Sequence, residues 1–279
     1  FPERYFNIGI AEQNAITLSA GLAHGGKRPV VYGICNFVTL RCLEQIHVDL
    51  CCMKLPVVLI GSGPGYTYSS DGPTHHSTLD LAVMRALPGI SIYDPCDAHS
   101  IQACIDDAMH ASGPSYLRLE KGVIPPIYAD DSDLSDGLSA VRNGNGDLVI
   151  VSCGLMVHRS LEVADQLWTL DAIDARVIDL FRPKPISNEV LLREMADAKC
   201  VVTIEEGIRN GGIGSAVMEA LIDANVQAPV LRIGSPDKDI FEYGTRDWMQ
   251  SLVGLDVESL CARVRKWYSS LPEEDRSNG

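Results

Sequence analysis

The sequence lacks several features that would place it in a specialised class of protein. No hydrophobic run approaches the roughly 18 residues that a membrane-spanning helix needs, so no transmembrane helix is predicted. Basic residues are scarce, with 23 lysines and arginines against 37 aspartates and glutamates, and the formal net charge is −14 at pH 7. Because the basic residues also form no cluster, we expect the chain to bind neither nucleic acid nor an anionic membrane.

The nine cysteines form no Cys-x-x-Cys pair, and most of them lie within apolar runs. Such positions are typical of buried, unreactive thiols in a reducing compartment. The cysteine pattern therefore argues against a disulfide framework and favours a cytoplasmic protein.

Apolar runs of strand length alternate with segments of helical period along the chain, which indicates parallel sheets covered on both faces. The predicted strands are 28–34, 55–60, 90–93 and 115–119, then 148–152, 175–180, 200–204 and 229–233. The predicted helices are 11–24, 38–53, 77–86 and 97–111, then 156–169, 187–197, 213–224 and 255–268. The fold class is therefore α/β, with two doubly wound, mostly parallel-sheet domains joined by a linker.

Residues 123–146 separate the two predicted domains, 1–122 and 147–279. They combine prolines, an Asp- and Ser-rich run and an Asn-Gly turn without apolar periodicity, which is typical of a linker. The first domain runs almost directly into a helix, whereas a doubly wound domain usually begins with a strand. We therefore expect its opening strand to lie upstream of Phe1.

Glu12 lies in the segment Gly9–Asn14 (GIAEQN), at the start of a long apolar helix. A carboxylate at this place can simply be a favourable partner for the helix dipole. It can also be a carboxyl group in an apolar pocket that shares a proton with a ligand. The residues alone leave both interpretations open.

The segment Ser70–Ser77 (SDGPTHHS) forms a predicted rigid turn before a helix, and its polar side chains could bind a substrate. Adjacent histidines seldom converge on one metal ion, and no other His or Cys stands at ligand spacing, so no metal site is predicted here. A turn with only a structural role is the remaining alternative.

Three segments together resemble the C-terminal half of transketolases and 1-deoxyxylulose-5-phosphate synthases. They are 1–14 (FPERYFNIGIAEQN), 71–75 (DGPTH) and 205–215 (EEGIRNGGIGS), and their order and spacing agree over nearly the whole chain. The third is shared with the beta subunits of 2-oxoacid dehydrogenases, which do not usually carry DGPTH. The resemblance implies a pyrimidine-binding domain followed by a mainly structural C-terminal domain.

The resemblance also implies the cofactor thiamine diphosphate. The sequence has no Gly-Asp-Gly followed by Asn at the spacing that this family uses to bind the metal. The diphosphate and its Mg²⁺ or Ca²⁺ are then expected on a partner chain, the N-terminal diphosphate-binding subunit of a split transketolase. We expect a hetero-oligomer with two copies of each chain.

The cofactor contacts that the resemblance implies involve three residues. Glu12 matches a catalytic glutamate that hydrogen-bonds the aminopyrimidine ring, and Phe37 matches an aromatic residue that packs against this ring. Ile34 falls where transketolases often carry another aromatic residue of the pocket. Ordinary core packing is the alternative for Phe37 and Ile34.

The substrate contacts that the resemblance implies lie further along the chain. Asp71 and His75 match residues that hold sugar hydroxyls, and His75 is also a catalytic candidate. The adjacent His76 stands where glutamine is more frequent, and either Arg118 or Lys121 falls near the cation that binds a sugar phosphate. The segment before Asp71 departs from transketolases, which leaves the sugar and its phosphorylation open.

The implied activity is transfer of a two-carbon ketol unit from a ketose to an aldehyde acceptor. One alternative is a condensing enzyme of the 1-deoxyxylulose-5-phosphate synthase type, which uses a 2-oxoacid donor. Another is a non-catalytic subunit that only assembles with a partner. Glu12 favours an enzyme, because a purely structural subunit has no need for this carboxyl group.

Overall fold

A computed structural model describes residues 1–276 of the chain. The N-terminal part of the chain forms a first unit, a parallel sheet with helices. The strands of this unit are β1 (Val30–Ile34), β2 (Val58–Ser62), β3 (Ser91–Tyr93) and β4 (Ser115–Leu119). Its helices are α1 (Glu12–His24), α2 (Cys35–Val38), α3 (Leu43–Gln45), α4 (Asp80–Ala86) and α5 (Ala98–His110). The strands pair in parallel in the order β1-β2-β4-β3.

The second unit contains a five-stranded sheet in which a single edge strand is antiparallel. Its strands are β5 (Ser139–Arg142), β6 (Leu148–Ser152), β7 (Arg176–Asp179), β8 (Cys200–Ile208) and β9 (Val230–Ser235). Its helices are α6 (Met156–Asp171), α7 (Asn188–Glu194), α8 (Ile213–Asp223), α9 (Arg246–Val253) and α10 (Val257–Ser270). The order is β5-β7-β6-β8-β9, with β5 antiparallel to β7. The predicted α/β class with two mostly parallel sheets is confirmed.

The segment 38–53 is not the single helix that its apolar period predicts. It contains a 3₁₀ turn (Leu40–Cys42), the short α3 and a π-helical segment (Ile46–Cys52). The break falls at Thr39, whose backbone leaves helical geometry at φ −116° and ψ −80°. The Thr39 hydroxyl donates to the Cys35 carbonyl at 2.6 Å and closes α2 after one turn.

The two units share buried contacts, so their relative position is fixed by packing. One apolar cluster includes Leu59 and Ile92 of the first unit with Val149 and Ile178 of the second. Tyr66 of the first unit is buried in the core of the second. Because parallel strands end at the same edge of a sheet, the segments that leave β1, β2 and β4 meet at this edge.

Candidate functional site

Glu12 begins α1, and its carboxylate is held by an arginine from a neighbouring segment. The side chain is 19% exposed, and its Oε2 accepts a hydrogen bond from Arg41 Nη1 at 2.8 Å. Gln13 Nε2 donates to the Arg41 carbonyl at 3.0 Å, which fixes that arginine beside the first turn of α1. The apolar helix α1 suggested an apolar pocket for Glu12. The structure instead places a positively charged side chain beside it.

Arg41 connects Glu12 to an aromatic ring. Its guanidinium carbon lies 4.1 Å from the centroid of the Phe37 ring, within the range of a cation–π contact. Phe37 is carried by α2, the short helix that directly follows β1. The Phe37 ring in turn meets the His75 ring edge-on, with 5.0 Å between the centroids and 64° between the planes.

The contacts continue from His75 to the end of β4. The Tyr68 and His75 rings are tilted at 54° with centroids 6.2 Å apart, and Lys121 Nζ lies 4.5 Å from the Tyr68 centroid. We call the connected side chains the site row: Glu12, Arg41, Phe37, His75, Tyr68 and Lys121. The site row has a carboxylate near one end, an ammonium group at the other and aromatic rings between them. It can therefore contact a ligand that combines an apolar ring with polar groups.

The turn that carries His75 is held by its own backbone and by a buried asparagine. Gly72 adopts φ +77°, a conformation that favours glycine, and its carbonyl accepts the His75 and His76 amides at 2.9 and 3.2 Å. Asn36 Nδ2 donates to the His76 carbonyl at 2.7 Å. Since Asn36 precedes Phe37 in α2, this bond ties the turn to the Phe37 segment.

The side chains of two other predicted residues, Ile34 and Asp71, make no hydrogen bond, ion pair or ring contact with the site row among the described residues. Ile34 is half-buried at the end of β1, and Asp71 is exposed at the end of a 3₁₀ turn (Ser69–Asp71). The Asp71 amide donates to the Tyr68 carbonyl at 3.0 Å. Asp71 directly precedes Gly72, whose carbonyl accepts the His75 amide, so Asp71 adjoins the turn that carries His75.

His76 does not lie in the site row. It is 6% exposed, and its ring packs edge-on against Tyr66 with 5.2 Å between centroids, toward the second unit. Burial lowers the pKa of His76. The placement corrects the expected substrate contact, because neighbouring protein atoms already enclose this imidazole.

Arg118 is also placed in the interior, in contrast to Lys121. Its Nε donates to Asp80 Oδ2 at 3.0 Å and its Nη1 to Asp94 Oδ2 at 2.5 Å, and Tyr116 Oη donates to the same Asp80 oxygen. Two carboxylates thus pair with this buried guanidinium. Of the two cations considered for a sugar phosphate, only Lys121 is exposed and belongs to the site row.

The third sequence motif lies apart from the site row and organises the second unit. Glu205 accepts hydrogen bonds from the amides of Ile213 and Gly214, at 3.2 and 3.0 Å, and so caps the start of α8. Burial raises the pKa of Glu205 to about 7. A Cβ on Gly212 would lie 1.8 Å from Glu205 Oε2, so glycine is required for this cap.

Within residues 1–276 no group of three or more His, Cys, Asp and Glu side chains is arranged to hold a metal ion. In the same residues no helix is long and apolar enough to cross a membrane. All nine cysteines are free, and all except Cys52 are buried.

Sequence reasoning did not identify Arg41 or Tyr68 as site residues. Arg41 follows Phe37 by four positions, but the chain leaves helical geometry at Thr39 between them, so helical spacing does not predict this contact. Tyr68 lies in the segment that departs from transketolases. The resemblance therefore offered no counterpart for it.

Two family models match successive parts of the chain. Residues 1–126 match the family "Transketolase, pyrimidine binding domain", and residues 137–260 match "Transketolase, C-terminal domain". One subunit of the apulose-4-phosphate transketolase of Phocaeicola vulgatus is 34% identical over 261 residues, with 93% of this chain and 82% of that protein covered. A 1-deoxy-D-xylulose-5-phosphate synthase of Gloeobacter violaceus is 38% identical, but the chain spans only 43% of its length while 98% of the chain is covered.

Solved structures support the same assignment. A structure described as a split gene transketolase, inactive beta4 tetramer, superposes with a TM-score of 0.83 at 34% identity, covering 95% of this chain and 84% of that one. The transketolase of Leishmania mexicana, at 18% identity, shares the fold with a TM-score of 0.79, covering 96% of this chain and 38% of that one. The chain therefore belongs to the transketolase family, whose enzymes use thiamine diphosphate.

Proposed function

We propose that this chain is the pyrimidine-binding subunit of a split transketolase-like enzyme, which transfers a two-carbon ketol unit from a ketose to an aldehyde acceptor. The observation that carries this proposal is the site row. It connects Glu12, which begins α1, through Phe37 to His75 on the loop 69–77, which we call the substrate loop. The match to 82% of the apulose-4-phosphate transketolase subunit supports a separate chain of this kind.

The residues of the site row fit one end of thiamine diphosphate. Glu12 Oε1 accepts no hydrogen bond from the described residues, so one oxygen is available to an aminopyrimidine, and Phe37 offers an apolar ring beside it. Residues 1–276 contain no metal-binding cluster, and the sequence contains no Gly-Asp-Gly motif. In this proposal the diphosphate therefore binds to a partner chain. When bound, thiamine diphosphate supplies the electron sink for carbon–carbon bond cleavage beside a carbonyl group.

The chain's own residues then have distinct tasks. Glu12 shares a proton with a ring nitrogen of the aminopyrimidine, and Arg41 holds the carboxylate in position at 2.8 Å. Asp71 and His75 hydrogen-bond the hydroxyls of the sugar. Lys121 binds the phosphate of a sugar phosphate, because an exposed ammonium is well suited to an anion at the end of the row.

The partner in this proposal carries the diphosphate together with Mg²⁺ or Ca²⁺, in a cytoplasmic assembly with two copies of each chain. The segment that precedes Glu12 exposes several large apolar side chains, which is typical of a protein–protein interface. They are Phe1, Tyr5, Phe6 and Ile10. A partner that covers this segment would also enclose the Glu12 end of the site row.

A second candidate is a condensing enzyme that takes a 2-oxoacid donor, and the 38% identity to a 1-deoxy-D-xylulose-5-phosphate synthase favours it. The two reactions differ in carbon balance, because a 2-oxoacid donor loses its carboxyl group as CO₂ whereas ketol transfer releases none. Measurement of CO₂ release by the assembled complex, with an aldehyde acceptor and with either pyruvate or D-xylulose 5-phosphate as donor, separates them. Release of CO₂ with pyruvate would overturn ketol transfer as the main activity.

Glu12→Gln tests the proposal at its central residue. The amide keeps the size of the side chain but cannot exchange a proton in the same way, so we expect deprotonation at the thiazolium carbon to slow by about a hundredfold or more. Hydrogen–deuterium exchange at this carbon in the assembled complex measures the effect. Glu44→Gln, an exposed carboxylate on α3, is the matched control. An unchanged exchange rate would return Glu12 to the role of a dipole partner.

A further inference from the structure

The second unit reaches the substrate loop through an exposed tyrosine. Three atoms of the Tyr243 side chain, Cε1, Cζ and Oη, lie 2.7–2.8 Å from the position that a Cβ would take on Gly72. The Tyr243 ring therefore packs directly on the Gly72 backbone. Next to it, Ser69 Oγ donates to the Gly244 carbonyl at 2.8 Å, so a hydrogen bond anchors the contact between the two segments.

Gly72, on which Tyr243 packs, holds the conformation of the substrate loop. The Gly72 carbonyl accepts the amide of His75 at 2.9 Å, and Asp71 directly precedes Gly72. A shift of Gly72 would therefore move both side chains that are expected to hold sugar hydroxyls. The glycine is at φ +77°, so another residue type would strain the turn and remove the surface on which the tyrosine packs.

The same segment of the second unit also anchors the far end of the site row. Arg246 Nη1 and Nη2 donate to the two oxygens of Glu120 at 2.6 and 2.7 Å, and Glu120 directly precedes Lys121. Arg246 Nε also donates to Glu206 of the second unit at 3.0 Å. Three residues of this segment, Tyr243, Gly244 and Arg246, thus contact both segments that present substrate-binding side chains.

The exposure of Tyr243 distinguishes this contact from ordinary core packing. Tyr243 is 64% exposed, so its removal opens no cavity in either core. Phe241, two positions earlier, is 70% exposed and provides a matched aromatic residue.

We propose that Tyr243 is a positioning residue for substrate, through which the C-terminal domain sets the place of Asp71 and His75. The inference rests on the proposed function, since it assumes that this loop holds the sugar. It gives the C-terminal domain a role in substrate binding, in addition to the structural role that the family resemblance implies.

Amide exchange of the full chain tests the positioning contact without any activity. We expect Tyr243→Ala to raise the hydrogen–deuterium exchange rate of a peptide covering residues 69–77 by about fivefold or more. Tyr243→Phe keeps the ring and should stay within about twofold of the wild type, as should Phe241→Ala. Unchanged exchange in Tyr243→Ala would overturn the proposal.

Kinetics of the assembled complex test the consequence for substrate. With D-xylulose 5-phosphate as donor and D-ribose 5-phosphate as acceptor, we expect Tyr243→Ala to raise the KM of the donor about tenfold while kcat stays within about twofold. Exchange at the thiazolium carbon should remain at the wild-type rate, and Tyr243→Phe should restore KM. A fall in kcat or in thiazolium exchange at unchanged KM would overturn positioning. Absence of ketol transfer in the wild-type complex, with phosphorylated and with unphosphorylated sugars, would instead overturn the proposed function.

Discussion

The adjacent residues His75 and His76 have different surroundings, although the sequence presents them as a pair. The His75 ring lies between Phe37 and Tyr68 in the site row. The His76 ring packs on Tyr66 toward the second unit, and its buried Nε2 has no hydrogen-bond partner among the described residues. Substitution of the two histidines should therefore have different consequences.

We expect His75→Ala to weaken ketol transfer while the affinity for thiamine diphosphate stays nearly intact. The loss of one or two hydrogen bonds to the sugar corresponds to about 1–3 kcal/mol of binding free energy. His76→Ala should instead lower the melting temperature, because it leaves a cavity beside Tyr66. Steady-state kinetics, cofactor calorimetry and thermal unfolding distinguish the two variants. An equal loss of cofactor affinity and turnover in His75→Ala would contradict the substrate role.

Asp179 is a buried carboxyl group that makes stability depend on pH. Tyr128 Oη and Cys96 Sγ donate to its Oδ2 at 2.9 and 3.1 Å, but burial raises the pKa of Asp179 from 3.8 to about 7. The native state therefore binds this proton more tightly than the unfolded chain does. The contribution of this group to the free energy of unfolding is fully present below the unfolded pKa of 3.8. It is lost as the pH rises to the folded pKa of about 7.

We expect Asp179→Asn to reduce the decline in melting temperature between about pH 4 and pH 7, because the amide does not ionise there. Asp131→Asn, at an exposed position of the connecting segment, is the control and should keep the wild-type slope. Glu205, the other carboxyl group whose pKa burial raises to about 7, leaves a residual slope in both variants. Equal slopes in Asp179→Asn and the wild type would contradict the shifted pKa.

At the scale of helices and strands, continuous apolar runs are the parts that the sequence predicts well. The predicted strands 115–119 and 148–152 have the bounds of β4 and β6. Short elements that depend on tertiary contacts were missed. β5 forms inside the predicted linker because it pairs with β7, and α9 begins at Arg246, whose guanidinium bridges glutamates of both units.

The same limit applies to the site. Glu12, Phe37 and His75 follow from the family resemblance, and the structure connects them through contacts between their neighbours. Arg118 lies within β4 and pairs with two buried carboxylates, whereas Lys121 follows the end of β4 and is exposed. Apolar periodicity does not contain this information, because it reports which side chains are apolar and not which charges meet.

Substitution of Gly212 tests the hydrogen-bonded cap at the start of α8. Gly212→Ala places a Cβ where the Glu205 carboxylate lies, so the cap of α8 is lost at a cost of about 1–3 kcal/mol of unfolding free energy. Gly21→Ala is the matched control, because a Cβ at this position in α1 meets nothing within 4 Å. Alanine should stabilise that helix by about 0.5–1 kcal/mol. Denaturant unfolding of the isolated chain measures both, and an unchanged stability of Gly212→Ala would contradict the cap.

At the scale of the whole molecule, the two units are coupled at the end of the site row where substrate is expected. Tyr66 of the first unit is buried in the second, and Arg246 of the second unit pairs with Glu120 beside Lys121. The Glu12 end, in contrast, lies beside the exposed apolar side chains of residues 1–10. Assembly with a partner should therefore affect the cofactor end of the site row more strongly than the substrate end.

This difference predicts how cofactor affinity depends on assembly. The chain provides a carboxylate and an aromatic ring for the aminopyrimidine, whereas residues 1–276 contain no metal cluster for the diphosphate. We expect isothermal titration calorimetry to show weak binding of thiamine diphosphate and Mg²⁺ to the isolated chain, and binding about a hundredfold tighter or more once a diphosphate-binding subunit is added. Ile10→Asp, which places a charge on the exposed apolar segment, should abolish this gain, whereas Val123→Asp, at a fully exposed position outside that segment, should preserve it. Tight, Mg²⁺-dependent binding by the isolated chain would show that the cofactor site is complete without a partner.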